Sequence, residues 1–159
     1  MSFIESIREA IESRLIANWI ASGTTLRTPI AFETVDKALG LITTSDGGTV
    51  IQKPPNDAPW MRCTIRHGAG EQKDLVSPAR VRQLGRIYLD VFAPLAPPAT
   101  GAPARATVDT LVDLAVLIFD RQTFGGVMCR AAAAEERGQD KQWWWSQVTV
   151  PFRVERLSS

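Results

Sequence analysis

With one histidine, one tyrosine and two cysteines among 159 residues, the chain is short of the side chains that most catalytic and metal centres use. His67, the single histidine, allows a Ser-His-Asp arrangement to be built in one way only, and no Gly-x-Ser-x-Gly context accompanies it. It is expected in a solvated or capping role. Cys63 and Cys129 fall in different predicted strands without Cys-x-x-Cys spacing or nearby histidine, so free, buried, reduced thiols are expected rather than a bond or a metal site. No catalytic set, cofactor or metal is expected. Charge of one sign is also lacking: 18 basic and 17 acidic residues leave a net charge of +1, and bulk charge gives no argument for nucleic acid or a membrane surface. The longest apolar run, Leu114 to Phe119, is far short of the ~20 residues that span a bilayer. Charges run through the N-terminal MSFIESIREAIESR where a signal peptide would need an apolar core. The expectation is a soluble intracellular protein without membrane contact.

What is present suffices for one domain over residues 1–159. At this length roughly 70% of the unfolded surface can be buried without a disulfide or metal, and 45% hydrophobic with 22% charged residues is ordinary globular usage. The strongest signal is the last strand, Trp143 to Glu155. Val148, Val150, Phe152 and Val154 alternate with Gln147, Thr149, Arg153 and Glu155, with Trp144 in phase with the apolar set.

Ser2 to about Ile20 reads as a helix, with Ile4, Ile7, Ile11, Leu15 and Trp19 at spacings of three and four. Ser2 and Glu5 form a capping-box pattern, and Ser22-Gly23 is a stop signal. Thr28 to Glu33 is a short extended segment, and Pro29, which has no N–H to donate, marks it as a sheet-edge candidate. Leu39 to Thr43 and Thr49 to Gln52 bracket Ser45-Asp46-Gly47-Gly48, a hairpin signal, so residues 36–57 are expected to project as a β-arm. Its Leu41, Ile42, Val50 and Ile51 would be poorly covered in a monomer and are candidate subunit contacts.

Met61, Cys63 and Ile65 alternate with Arg62, Thr64 and Arg66 in a strand over Trp60 to Arg66 whose second set faces solvent or a partner. Residues 67–82 are polar and Gly-rich and are expected to be a mobile loop, with Lys73, Arg80 and Arg82 as contact candidates. Leu84 to Phe92 is a strand and the expected central pairing partner, with Ile87, Leu89 and Val91 on one face. Pro94, Pro97, Pro98 and Pro103 stiffen the crossover to a second helix, Ala104 to Arg121, whose broad apolar stripe should lie across the sheet and touch the first helix. Thr123 to Gly126 turns into a strand Val127 to Ala134. Glu135 to Gln142 reads as a charged turn before the final strand.

This order predicts an α+β two-layer sandwich, with a mostly antiparallel sheet of four to five strands, two helices on one face and the projecting β-arm. Three consecutive tryptophans cannot share one face of a strand, so Trp143 and Trp145 are candidate contacts with a neighbour, with Trp144 in the core.

Thr28-Pro29-Ile30-Ala31-Phe32-Glu33, Ala58-Pro59-Trp60-Met61-Arg62-Cys63-Thr64, the Gly85 to Phe92 strand, a helix closed by Phe124-Gly125-Gly126-Val127, and Trp143-Trp144-Trp145 running into Val148 to Glu155 come in an order that resembles the tail-completion or tail-terminator proteins of siphophages and prophages. Residues 36–57 depart from that pattern. The resemblance implies a helix-backed sheet of the lambda tail-terminator type, assembled as a homo-hexameric ring on the tail tube. Such a ring stops tube polymerisation and presents a surface to the head-completion or neck protein, while DNA passes through the lumen without specific binding. It places the protein in the host cytoplasm during assembly and then in the tail-neck region of the virion. It carries over no catalytic residue. Pro29, Phe32, the four arm residues, Trp143 and Trp145 are the candidate subunit or tail-tube contacts. A head-tail connector is the alternative reading. Two others stay open: a metal-dependent hydrolase or nuclease using Asp90, Asp109, Asp113 or Asp120, and a nucleic-acid-binding module using Arg62, Arg66, Arg80 and Arg82.

Overall fold

Strand periodicity organises the molecule. The computed structural model of the chain describes residues 2–21, 28–32, 41–43, 49–51, 58–72, 80–95 and 104–157. Among them are two helices, α1 (Phe3–Ala21) and α2 (Ala104–Phe119), and nine strands: β1 (Ile30–Phe32), β2 (Leu41–Thr43), β3 (Thr49–Ile51), β4 (Trp60–Gln72), β5 (Arg80–Pro94), β6 (Thr123–Phe124), β7 (Val127–Cys129), β8 (Ala133–Asp140) and β9 (Trp143–Leu157). All nine belong to one sheet in the order β2-β3-β1-β4-β5-β9-β7-β6, with β8 also paired to β9. β1 runs parallel to β3 and β4, and the other pairings are antiparallel. The α+β class and the predominantly antiparallel sheet agree with the sequence reading, whereas the strand number exceeds the four to five expected.

The register explains which residues are inside. Cys63, Leu89 and Val148 form one rung across β4, β5 and β9, Ile65, Ile87 and Val150 the next, and all six are 3% exposed or less. On this face they meet Ile7, Ile11, Leu15 and Trp19 of α1 and Val108, Leu111, Ala115 and Phe119 of α2 in one continuous core. Each such aliphatic side chain contributes about 1.5–3 kcal/mol relative to an exposed position. The N-terminus of α1 is closed as its sequence predicts: the Ser2 N–H donates to Glu5 Oε2 (2.7 Å) and the Glu5 N–H to Ser2 Oγ (3.1 Å). The two helices touch as expected, and Arg14 on α1 donates from Nε to the Ile118 carbonyl at the end of α2 (2.9 Å). That bond satisfies one of the carbonyls a helix end leaves open.

Five expectations are corrected. The Thr28 to Glu33 segment is no edge: β1 lies between β3 and β4, with Ile30 opposite both Val50 and Met61. Pro29 keeps its place because its carbonyl, not its absent N–H, meets the neighbouring strand, accepting from the Met61 N–H (3.0 Å). The 41–51 hairpin forms, Leu41 opposite Ile51 and Thr43 opposite Thr49, but it continues the main sheet through β1 instead of projecting from it. The described part of the expected 67–82 loop is strand: β4 runs to Gln72 and β5 starts at Arg80, with a bulge between His67 and Gly70 absorbing the irregularity, and residues 73–79 lie outside the described residues. The predicted Val127 to Ala134 strand is divided into β7 and β8. Finally, the supposed charged turn at Glu135 to Gln142 is mostly strand, since β8 pairs with β9 up to Asp140 opposite Trp143. The Ser22-Gly23 stop lies outside the described residues.

At the lower end of the core face the rung is His67, Gly85 and Phe152. Glycine is required there by space: a Cβ on Gly85 would lie 2.7 Å from Phe152 Cε1 and 2.8 Å from the Arg66 carbonyl oxygen. The Phe152 ring occupies that space. Gly85→Ala is therefore expected to destabilise the fold by about 1–3 kcal/mol through overpacking against ring and backbone, measured as a lower urea midpoint at unchanged slope. An unaltered midpoint would mean that the ring moves aside freely.

Candidate functional site

The same register that buries one face of β4, β5 and β9 lays out the other, which neither helix covers. Its rungs are Trp60–Phe92–Trp145, Arg62–Asp90–Gln147, Thr64–Tyr88–Thr149 and Arg66–Arg86–Pro151. The first is an aromatic stack. Trp60 lies on Phe92 with ring centroids 4.4 Å apart and planes 10° from parallel, and Phe92 on Trp145 at 5.4 Å and 12°. Trp143 stands edge-on to both Trp60 (6.3 Å) and Phe92 (6.4 Å). Such pairs add about 0.5–1.5 kcal/mol each beyond their buried area. Trp60 and Phe92 are thereby 7% exposed without any helix above them, as a small second cluster that includes Ala31, Trp143 and Trp145.

The second rung is polar. Arg62 donates from Nε (3.1 Å) and Nη2 (2.9 Å) to Asp90 Oδ2, while Gln147 Nε2 donates to Asp90 Oδ1 (2.9 Å). Both oxygens of a carboxylate that is 4% exposed are thus satisfied. Arg62 also lies over the Phe92 ring at 5.4 Å, and Arg137 over Trp145 at 6.0 Å while donating to Gln147 Oε1 (2.9 Å). Aromatic and polar rungs are therefore tied together from β4 across to β8.

Below them a groove of about 430 Å³ is lined by Arg66, Arg86 and Arg130 with Leu84, Pro151 and Phe152. His67 closes its inner side. Both imidazole nitrogens are buried without a hydrogen-bond partner, and the ring meets Phe152 edge-on at 6.1 Å. This corrects the solvated or capping role expected of it. Burial, and then the positive charge of Arg8, hold its pKa below the ordinary 6.5.

The residues singled out from sequence are not brought to one place. Phe32 is 6% exposed in the main core and is no surface anchor, and Pro29 is half-buried just before β1. Leu41, Ile42, Val50 and Ile51 sit in the β2–β3 hairpin, their side chains outside the described residues, as is Lys73 altogether. Arg80 and Arg82 belong to β5 and not to a loop, and Arg82 Nη2 pairs with Glu155 Oε1 (3.1 Å). Trp143 and Trp145 are half-buried on the open face, and Trp144 turns to the helix side, as expected of it. Cys63 and Cys129 are buried thiols that form no disulfide, and burial pushes the Cys129 thiol up to about 12. The four aspartates do not converge: Asp90 holds Arg62, Asp120 Oδ1 accepts from the Ala132 N–H (2.8 Å), and Asp109 and Asp113 are exposed on α2. Among the described residues no three His, Cys, Asp or Glu side chains group as metal ligands would. What sequence reasoning missed is the neighbour relation of Trp60, Phe92 and Trp145, and of Arg66, Arg86 and Arg130. Alternation marks each as outward-facing, but only register makes them adjacent.

No family model and no curated protein matches the chain. Among solved structures, one chain bearing a serial designation and no functional name is similar over 100% of this chain and 99% of its own, with a TM-score of 0.63 and 18% identity. At that identity the likeness is one of fold.

Two outcomes follow from the site. Asp90→Ala should cost about 1–3 kcal/mol in urea unfolding, because Gln147 loses its acceptor, while half-exposed Arg62 regains water; a change below ~0.5 kcal/mol would make the rung a solvent-equivalent pair. For His67 the sign is set by its lowered pKa. The unfolded chain takes up a proton near pH 6.5 that the folded chain resists, so stability present above that pH is lost as pH falls below it. Melting temperature should drop between pH 7.5 and 5.5, and His67→Gln should flatten the drop; an equal drop in the variant would assign it to other groups.

Proposed function

We propose that this is a structural phage protein that caps the end of the tail tube as a homo-hexameric ring, terminating tube polymerisation and forming the surface that joins the head-completion complex. The observation that carries the reading is the two-sidedness of the sheet. One face is closed by the chain's own helices, and the other holds Trp60, Phe92, Trp143 and Trp145 in a cluster that no helix covers. An antiparallel sheet can face water on one side, but then that side is normally polar. Half-exposed aromatic residues such as Trp143 and Trp145 on a face that neither α1 nor α2 covers suit an interface. The order of motifs that resembles the tail-terminator family supports the same reading, and the α+β fold is compatible with it. A ring requires each subunit to offer one surface to the next, and closure prevents open-ended growth. Net charge near zero suits a lumen through which DNA must slide, since many phosphate contacts would retain it.

Purified protein mixed with tail tubes should appear by electron microscopy as six-fold rings on tube ends, and its addition during polymerisation should stop elongation. A stable dimer that ignores tubes would overturn the proposal, and a protein that binds the head-completion complex but leaves tube growth unchanged would place it among the connectors. Trp143→Ala and Trp145→Ala should keep the far-ultraviolet circular dichroism spectrum, lower stability by roughly 1 kcal/mol each, and impair capping. Capping untouched by both changes would make the cluster internal packing alone.

A further inference from the structure

β4 ends weakly. Its outer neighbour β1 is in register only with Met61 to Cys63, so from Thr64 on, among the described residues, β4 is held from one side, by β5. Beyond the bulge that hold is three register pairs, Gly70–Gln83, Glu71–Arg82 and Gln72–Val81. Gly68, Ala69 and Gly70 are exposed and bury no large side chain. The last β4 side chain on the core side before this stretch is His67, whose ring meets Phe152 edge-on at 6.1 Å on the rung they share with Gly85.

That anchor holds only while the ring is neutral. Both nitrogens are buried and neither has a hydrogen-bond partner. A neutral imidazole leaves one donor and one acceptor unpaired there, whereas an imidazolium would leave two donors and a charge. The surroundings do not compensate it. α1 brings Arg8, a second cation, close enough to act on the ring. Of the acidic residues of α1, Glu5 is engaged with Ser2, Glu9 is exposed and Glu12 is already engaged. On this face β5 and β9 present Gln83, Gly85, Phe152 and Val154, and Arg156 further along is stacked on Phe3. Glu71 is in register with Arg82, and Arg66, Arg86 and Arg130 stand around the groove. The Gly68 carbonyl is taken by Gln83 Nε2 at 2.6 Å. Water is near, because the groove of about 430 Å³ reaches His67 between Gly68, Ala69 and Phe152.

We infer that His67 is a proton-released latch: on protonation its ring leaves Phe152 for the groove, and β4 from Gly68 to Gln72 separates from β5. Separation breaks three backbone pairs and uncovers no aliphatic core, a local opening far short of unfolding. Linkage sets the sign. The open state takes up a proton near pH 6.5 and the closed state resists it, so opening is favoured progressively as pH falls below that value. What opens is the β5 backbone between Val81 and Gln83, an unpaired strand edge to which another strand can add. The fold thus covers this edge at neutral pH and displays it in acid. The latch belongs to the single chain and does not rest on the ring reading.

Because His67 is the only histidine, its imidazole resonance in a proton NMR titration needs no assignment, and it should titrate below pH 6.5. Hydrogen exchange of the full chain, with exchange times scaled for the chemical effect of pH, should lose protection several-fold at residues 68–72 between pH 7.5 and 5.5. The centre of β5, Ile87 to Val91, should stay protected. His67→Gln should keep residues 68–72 protected at both pH values, and His67→Arg should leave them open at pH 7.5. Arg8→Gln, which leaves the ring in place, should raise the NMR midpoint and the opening midpoint together. An equal loss in His67→Gln would assign the opening to other groups, and a loss shared by Ile87 to Val91 would make it global unfolding; either overturns the inference. So does a ring that titrates while protection at residues 68–72 stays constant, since the charge would then be accommodated in place.

Discussion

The register between β5 and β9 is the constraint on which everything else depends. Fifteen residues of each strand pair without a break, from Arg80 opposite Leu157 to Pro94 opposite Trp143. Side chains alternate with a period of two, so a slip of β5 by one residue would carry Ile87, Leu89 and Val91 from the core to water and bring Asp90 and Arg86 under the helices. The core therefore enforces the register, and the register places Phe92 beside Trp145 and Asp90 beside Gln147 on the far side. The open face is assembled by hydrophobic burial on the face that is not open. A change in its rungs can act locally, whereas a change in the buried rungs alters both faces together.

Elements whose signal is local were legible in the sequence. The stripes of α1 and α2, the capping box at Ser2 and Glu5, and the alternation in β5 and β9 need nothing beyond their own residues. The β2–β3 hairpin was readable from Asp46-Gly47, but its attachment to β1 was not, because parallel pairing leaves no mark in a short segment. β8 was missed for a definite reason. Its Glu135, Glu136 and Arg137 have low strand propensity, and its turn into β9 uses Lys141 with φ of 56° where Asn or Gly would have announced a tight hairpin. Such charges and the bulge at Glu136 to Gly138 also suit an edge, since they discourage further pairing. The extension of β4 beyond Arg66 was hidden by Gly68 and Gly70, which read as loop. There the Gln83 amide donates to the Gly68 carbonyl (2.6 Å) and supplements a ladder that the bulge has weakened.

The candidate site was legible only in halves. Alternation shows that Arg62, Thr64 and Arg66 face away from the core, and likewise Arg86, Tyr88 and Asp90. Whether Arg62 meets Asp90 or a neighbour two residues away depends on cross-strand register, a property of two segments at once. The same limit explains Pro29, whose missing N–H suggests an edge. What decides its position is the carbonyl, which Met61 uses.

The open face is not uniform along its length. At its upper end Trp60 and Phe92 are covered by Trp143, Trp145 and Arg62 from the same chain, so a partner there would gain only the remaining exposed parts of Trp143 and Trp145. At its lower end the Arg66–Arg86–Pro151 rung sets two arginines side by side. Side chains of the same chain thus close the aromatic end of the face, whereas positive charge is gathered at the other end.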